Sequence, residues 1–320
     1  MTESPPSGSG SRTGTVPLLL GALALIAVVA VLVSFRRAPA SVVLYCAQDQ
    51  VFAEPLLAGF EASTGIRVRT VFDSEAVKTV GLANRLLAEQ GHPVADVFWG
   101  NEELRTRQLA GRGVFGQVPR WTAFGQRTRR LVMPEVVPDG WAPPESFREL
   151  TNVRFRGRLA MAYPLFGTTA THFLVLRQRW GESNWLAWCE ALAANEPFIE
   201  EGNSQVVRRV ARGEALVGLT DSDDIEAARR EGLDVVALPP DLDSLRIPNT
   251  VALVPRNGGV SPEARRLLDH LTSEAVRREL EAVGALEEPG TGPEPAAPDW
   301  ERLLAELDTG TDQLKNLFRR

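Results

Sequence analysis

The chain has 320 residues, 44% of them hydrophobic and 24% charged, with a formal net charge of −6. That composition supplies core material for two domains, and mild acidity without a basic block excludes nucleic acid as the main partner. Cys46 and Cys189 match no metal spacing, and His92, His172 and His270 stand in no HExxH or triad context, so histidine-based catalysis is not indicated. Each cysteine reads as a small buried hydrophobe, with a disulfide left open in an oxidising compartment.

The N-terminus sets the compartment. Met1 to Thr15 is rich in Ser, Gly, Pro and Thr, and Val16 to Val33 is an uncharged apolar run of 18 residues followed by Phe35-Arg36-Arg37. Ala38-Pro39-Ala40 fits an A-x-A cleavage site. Residues 1–40 are therefore expected to form a leader with either a secretory signal peptide or a retained transmembrane helix, and the folded body to work outside the cytoplasm.

From Ser41 onward strands hand over to helices. Val42 to Tyr45 is a short apolar run, followed by Gln48-Asp49 and a helix over Val51 to Ser63 that Thr64-Gly65 stops. Ile66 to Phe72 alternates as a strand, Asp73-Ser74-Glu75 opens a helix over Ala76 to Glu89, and Ala95 to Trp99 is a third strand before Asn101-Glu102. Such handovers predict a parallel sheet covered by helices, with ligands beyond the carboxyl ends of its strands. Asp49, Ser74 and Asn101 are expected as helix N-caps on that rim, where free N–H groups also suit anions.

Gly113 to Pro144 is irregular, with one extended piece, Arg130 to Met133, suited to crossing between domains. Gly157 to Met161 reads as a strand, and Phe166-Gly167-Thr168-Thr169 enters a helix reaching Trp180. A tryptophan-faced helix covers Trp185 to Asn195, and Gly202-Asn203-Ser204 caps one that runs to Arg212. Ala215 to Leu219 is a buried strand leading into Thr220-Asp221-Ser222-Asp223-Asp224 and a helix over Ile225 to Glu231. That polar run is expected to cap the helix, yet it holds three carboxylates within four residues and needs a compensating partner. Arg246 to Val254 is a long extended segment, and Ser261-Pro262-Glu263 a capped helix start. Glu287 to Pro298 is a linker before an amphipathic helix pair over Asp299 to Leu317. No internal repeat, GxGxxG or P-loop is present.

In order and spacing, several stretches resemble the extracellular solute-binding proteins of ABC importers, in the group that contains the ferric-iron-binding proteins. They are Tyr45-Cys46-Ala47-Gln48-Asp49-Gln50, Gly59 to Ile66, Ala95 to Trp99, Phe166 to Phe173, Gly202-Asn203-Ser204, Thr220 to Asp224 and Ile247-Pro248-Asn249-Thr250. The resemblance implies an α/β, two-lobed type II periplasmic-binding-protein fold with two hinge strands. Lobe 1 is expected over 41–125 and 251–286, lobe 2 over 126–250, and a linker with a C-terminal helix over 287–320. The same resemblance implies a non-enzymatic monomer that clamps a small ligand in the cleft and presents it to a membrane permease. Ferric-binding members use a tyrosine pair from the second lobe, with a histidine and an acidic residue from the first. Here Thr220-Asp221 stands at the pair's position, Asp49 at the histidine's, and Asn101 and Glu102 near the acidic one.

Two ligand classes follow. Asp49, Ser74, Glu75, Asn101, Glu102, Thr168, Thr169, Asn203, Ser204, Asp221 and Asp223 are the candidate ligand-binding residues. Hydroxyl and amide groups at helix starts favour a phosphate-, phosphonate- or sugar-phosphate-like oxyanion, which is the preferred expectation. The alternative is ferric iron with a synergistic anion, held by Asp49, Glu102, Asp221 and Asp223 as an all-oxygen site, with no cofactor beyond that cargo. A membrane-tethered solute sensor and an extracytoplasmic enzyme are the rival classes. The enzyme lacks a nucleophile–base pair.

Overall fold

The computed structural model describes Met1 and residues 40–72, 78–116, 121–257, 259–288, 290 and 296–318. The apolar run of 16–33 lies outside these residues, as do Ser74 and Glu75. Among the described residues no helix is long and apolar enough to cross a membrane.

The first strands form as their apolar runs predict: β1 (Ser41–Cys46), β2 (Arg67–Phe72) and β3 (Val97–Gly100) pair in parallel, with β1 in the middle. Helices α1 (Gln50–Thr64), α2 (Lys78–Ala88) and α3 (Glu103–Gly111) follow them. Gly65 ends α1 in the left-handed conformation, its N–H donating to the Glu61 carbonyl.

The next strand departs most from expectation. Instead of a short piece at Arg130–Met133, β4 runs over 14 residues, Trp121–Pro134. Its first part pairs antiparallel with β9 (Arg246–Leu253), which also lies against β3. Its second part pairs with β7 (Val217–Asp221) and β8 (Val235–Ala237). The change of partner falls between Thr128, opposite Arg246, and Arg129, opposite Asp221. The pairing shifts register between Phe124 and Arg127, where Gly125 has φ +57° and a Cβ would meet Leu286 Cδ1 at 2.3 Å. Glycine is what lets the strand bulge there.

The second half repeats the strand–helix alternation: β5 (Leu159–Ala162), α4 (Gly167–Trp180), α5 (Glu182–Ala194), β6 (Phe198–Glu200), α6 (Asn203–Ala211), β7 and α7 (Ser222–Arg230). β5 pairs in parallel with β6 and β7. The nine-stranded sheet has the order β2-β1-β3-β9-β4-β7-β5-β6, with β8 beside β4. Four hydrophobic clusters line its two faces, two on each half, giving α/β/α layers. Helices α8 (Pro262–Leu271) and α9 (Glu274–Ala282) cover the first half; Ser261 caps α8 with Pro262 in its first turn, as expected. The terminal pair, α10 (Trp300–Ala305) and α11 (Leu307–Leu317), buries Leu303, Leu307 and Leu314 in the core of the second half.

β7 lies under α6 with no room for a side chain at Gly218, where a Cβ would sit 2.6 Å from Val206 Cγ1 and 2.9 Å from Val132 Cγ1. Trp185 and Trp188 are core residues, as the helix pattern predicts, and Cys46 and Cys189 are buried and not joined in a disulfide.

His172 on α4 packs edge-on against Phe147, and its Nε2–H donates to the Asp243 carbonyl at 2.8 Å. Burial, aided by the nearby Arg129 charge, lowers its pKa from 6.5 to about 3. The folded state thus refuses a proton that the unfolded chain accepts. Stability is full above the unfolded value and is lost as pH falls from about 6.5 towards 3, by up to about 4–5 kcal/mol. His172→Gln, which keeps an N–H donor, should flatten that part of the melting-temperature profile against pH.

Candidate functional site

The site is built where β4 changes partner. Arg127 and Arg129 alternate along the strand with Thr128 between them, so both guanidinium groups leave the same face. Both are fully buried, at 2% and 0% exposure. Buried charges persist only when compensated, and the compensation comes from β7 and the first turn of α7. Arg129 Nη1 donates to Asp221 Oδ1 at 2.7 Å, and also to Asn203 Oδ1 at 3.1 Å and Thr168 Oγ1 at 3.4 Å. Thr168 in turn donates to Asp221 Oδ2 at 2.7 Å, and Asn203 Nδ2 donates to the same oxygen at 3.1 Å. Asp221 is therefore held by three side chains from three elements.

Arg127 works alongside. Its Nε lies 3.2 Å from Asp223 Oδ2 and 3.5 Å from Asp221 Oδ2, in ion-pair contact. Its Nη1 donates to Asn249 Oδ1 at 3.1 Å and its Nη2 to the Asn101 carbonyl at 2.6 Å, tying the site to β9 and to the start of α3. Burial works against the Arg127 charge, but Asp223, Asp221, Asp49 and Asp224 more than offset it and hold its pKa above the ordinary value. Burial likewise disfavours the Asp221 carboxylate, and Arg129 with Arg127 overcomes this to hold its pKa below the usual range. Asp221, Asp223 and Asp224, all buried, bring one carboxylate oxygen each within 4.8 Å of one another. Arg129 Nε and Nη2 are buried with no hydrogen-bond partner among the described residues, as is Asn249 Nδ2. The site therefore offers both a carboxylate cluster and a guanidinium edge with N–H groups to spare.

The capping expectations fare differently. Asp49 occupies the N-cap position of α1 and Asp221 that of α7, and neither makes a side-chain cap bond. Asn101 does not hold the cap position: Glu102 caps α3, its oxygens accepting from Leu104 N at 2.7 Å and Arg105 N at 2.9 Å. Phe166 and Gly202 hold the cap positions of α4 and α6, which frees Thr168 and Asn203 to reach Asp221. A cap bond is a local option, and a buried guanidinium with its carboxylate outcompetes it.

Of the expected residues, Thr168, Asn203 and Asp221 meet directly. Thr169 adjoins through a 3.4 Å contact to Asn203 Oδ1, and Asp223 enters through Arg127. Asn101 contributes its carbonyl, and Asp49 its charge on Arg127. Ser204, half-buried, follows Asn203 in the first turn of α6. Glu102 is apart from the aspartates: fully buried, it accepts from Thr171 Oγ1 of α4 at 3.1 Å, and burial raises its pKa despite those donors. The close carboxylate group is thus Asp221, Asp223 and Asp224; Asp49 and Glu102 of the expected metal set are not in it, and Asp224 was not in that set. Sequence reasoning also missed Arg127, Arg129 and Asn249. The available signal was the alternation Arg127-Thr128-Arg129 in an extended segment.

Tyr45 Oη donates to Glu89 Oε2 at 2.8 Å, and burial together with Glu89 raises its pKa to about 12, while Tyr163 packs on Phe166.

Removing one member of the Arg129–Asp221 pair leaves a buried charge poorly compensated. Arg129→Met should cost about 3–5 kcal/mol in urea unfolding. Adding Asp221→Asn should recover part of that loss, a non-additivity that a double-mutant cycle reads directly.

With the geometry in hand, the chain can be set beside known proteins. Its residues 42–285 match the bacterial extracellular solute-binding protein family. No curated protein matches it. Among solved structures, iron-bound HitA from Pseudomonas aeruginosa is 19% identical with a TM-score of 0.72, covering 87% of this chain and 99% of its own. AfuA from Actinobacillus pleuropneumoniae with fructose-6-phosphate is 16% identical at 0.72, covering 87% and 98%. The Trichodesmium protein IdiA/FutA with iron and citrate is 15% identical at 0.65, covering 88% and 100%. At these identities the likeness establishes the periplasmic-binding-protein fold, and the match over 42–285 establishes the family. The chain belongs to the bacterial extracellular solute-binding proteins, a family of binding proteins and not of enzymes.

Proposed function

We propose that the protein is the extracytoplasmic receptor of an ABC importer and that its cargo is ferric iron accompanied by an oxyanion. The observation that carries this reading is the buried group of Asp221, Asp223 and Asp224 set against Arg127 and Arg129. A hard trivalent cation favours carboxylate oxygens. On entering, it takes over the counter-charge that the arginines supply, and the released guanidinium forks suit a bidentate carboxylate or phosphate. HitA binds iron and the Trichodesmium protein holds iron with citrate, which favours this cargo over the oxyanion alone that the helix starts first suggested.

On this reading residues 41–125 and 251–286 form one lobe and 126–250 the other, with β4 and β9 as the hinge strands and the ligand between. Closure needs only that the cargo bind the closed form better, and the closed form then engages the permease. The apolar run of 16–33 serves export or tethering.

A second reading keeps the oxyanion without iron. It is favoured by the spare N–H groups of Arg129 and by the lack of a phenolate pair among the described site residues, and AfuA with fructose-6-phosphate is a precedent within the fold.

Calorimetric titration of metal-free protein with ferric citrate, citrate, inorganic phosphate and fructose 6-phosphate separates the two. Iron-dependent binding at micromolar strength or better is expected, without the visible colour of phenolate-to-iron charge transfer. Asp221→Asn should weaken it by about 2–5 kcal/mol. Binding of phosphate or sugar phosphate with no dependence on iron would establish the second reading instead.

A further inference from the structure

The C-terminal helix pair offers an inference about closure itself. It is fastened to the second half at several points. Arg177 of α4 pairs with Glu306 and donates to Gln313 Oε1 at 3.2 Å, and Gln178 exchanges hydrogen bonds with the Asp299 backbone at 2.9 and 3.0 Å. Leu303, Leu307, Leu314 and Phe318 complete the apolar contact. Its reach does not stop there. The guanidinium of Arg107, on α3 of the first half, lies between two indole rings: Trp121 at the start of β4, 5.3 Å from the ring centroid, and Trp300 at the start of α10, 5.2 Å away. Glu103 orients it from one turn earlier, accepting from Nε at 2.7 Å. One indole belongs to the first half's β4–β9 ladder, where Trp121 stands opposite Ala252. The other packs on the second half's core.

We infer that Arg107 and Trp300 form a ligand-independent latch that biases the protein towards closure. The inference rests on the reading that the two halves move as hinged lobes. Separating them would pull α3 from α10, because α10 moves with the second half and Arg107 with the first. The latch is made only in the closed form, so it raises the closed fraction of the empty protein. Apparent affinity scales with that fraction. Arg107 keeps a 34% exposed side chain, which places the contact among the weaker cation–π pairs. Its loss should therefore lower the closed-to-open ratio, and the apparent affinity where the closed form is the minor one, by about two- to fivefold.

The test measures lobe separation in the full chain without ligand. Spin labels on Ala58→Cys in α1 and Ala187→Cys in α5 report it, since both positions are exposed and both native cysteines are buried. Trp300→Ala and Arg107→Gln should each shift the distance distribution towards longer values, while Trp300→Tyr, which keeps an aromatic face, should stay near the parent. Arg107→Gln changes one partly exposed side chain, so it decides the matter if Trp300→Ala loosens α10. Distributions unchanged in Arg107→Gln overturn the latch. Because no ligand is present, that outcome is independent of whether ferric citrate binds. A parent protein that also keeps one distance with and without every ligand titrated above would remove the hinge reading as well.

Discussion

Two buried arginines on one strand are the constraint from which the site follows. Moving a charged group out of water costs several kcal/mol even after relaxation, so Arg127 and Arg129 require carboxylates at hand. Arg129 stands directly opposite Asp221 in the antiparallel pairing of β4 with β7. A slip of one residue would set Thr128 there and turn both guanidinium groups to the other face. The ion pair and the strand register thus specify each other. The first turn of α7 adds Asp223 and Asp224, acidic residues that a helix N-terminus also favours.

The position of these residues matters as much as their charge. β4 leaves β9 at Thr128 and joins β7 at Arg129, so the arginines flank the point where one strand passes between the halves of the sheet. Open sheets place ligands where strand connections diverge, because helix starts on either side face the same crevice. Here Arg127 is met from β9 by Asn249 and from the start of α3 by Asn101, and Asp221 from α4 by Thr168 and from α6 by Asn203. A group that binds Arg127 or Arg129 therefore acts on the crossing strand itself, without a relay through distant packing.

Much of this was legible in the sequence. The strand-to-helix handovers of 41–111 and 157–230 follow apolar runs closed by polar starts, and that local pattern survives folding. The strand over Trp121–Pro134 was read only in its last third because Gln126, Arg127, Thr128 and Arg129 break an apolar run. What makes these residues fit a buried strand is Asp221, 92 residues later, which no local pattern reveals. The cap expectations are met in part: Asp49 and Asp221 hold N-cap positions without a side-chain cap bond, and for Asp221 the side chain is taken up by Arg129, Thr168 and Asn203, a tertiary choice no local pattern reveals. Glu102, one residue beyond Asn101, takes the cap, its oxygens accepting from the Leu104 and Arg105 backbone N–H groups and from Thr171.

The charge arrangement also bears on how such a site empties. A cluster of three buried aspartates that lost a cation would leave repelling carboxylates in low dielectric, and release would be opposed by that penalty. Arg127 and Arg129 remove much of it, because their guanidinium groups lie within contact of Asp221 and Asp223. On the proposed reading they act as internal counter-ions that a cargo displaces on entry and that return on exit. That competition lowers affinity and makes closure without cargo accessible. The proposed contact of Arg107 with Trp300 has a population to act upon only under that condition.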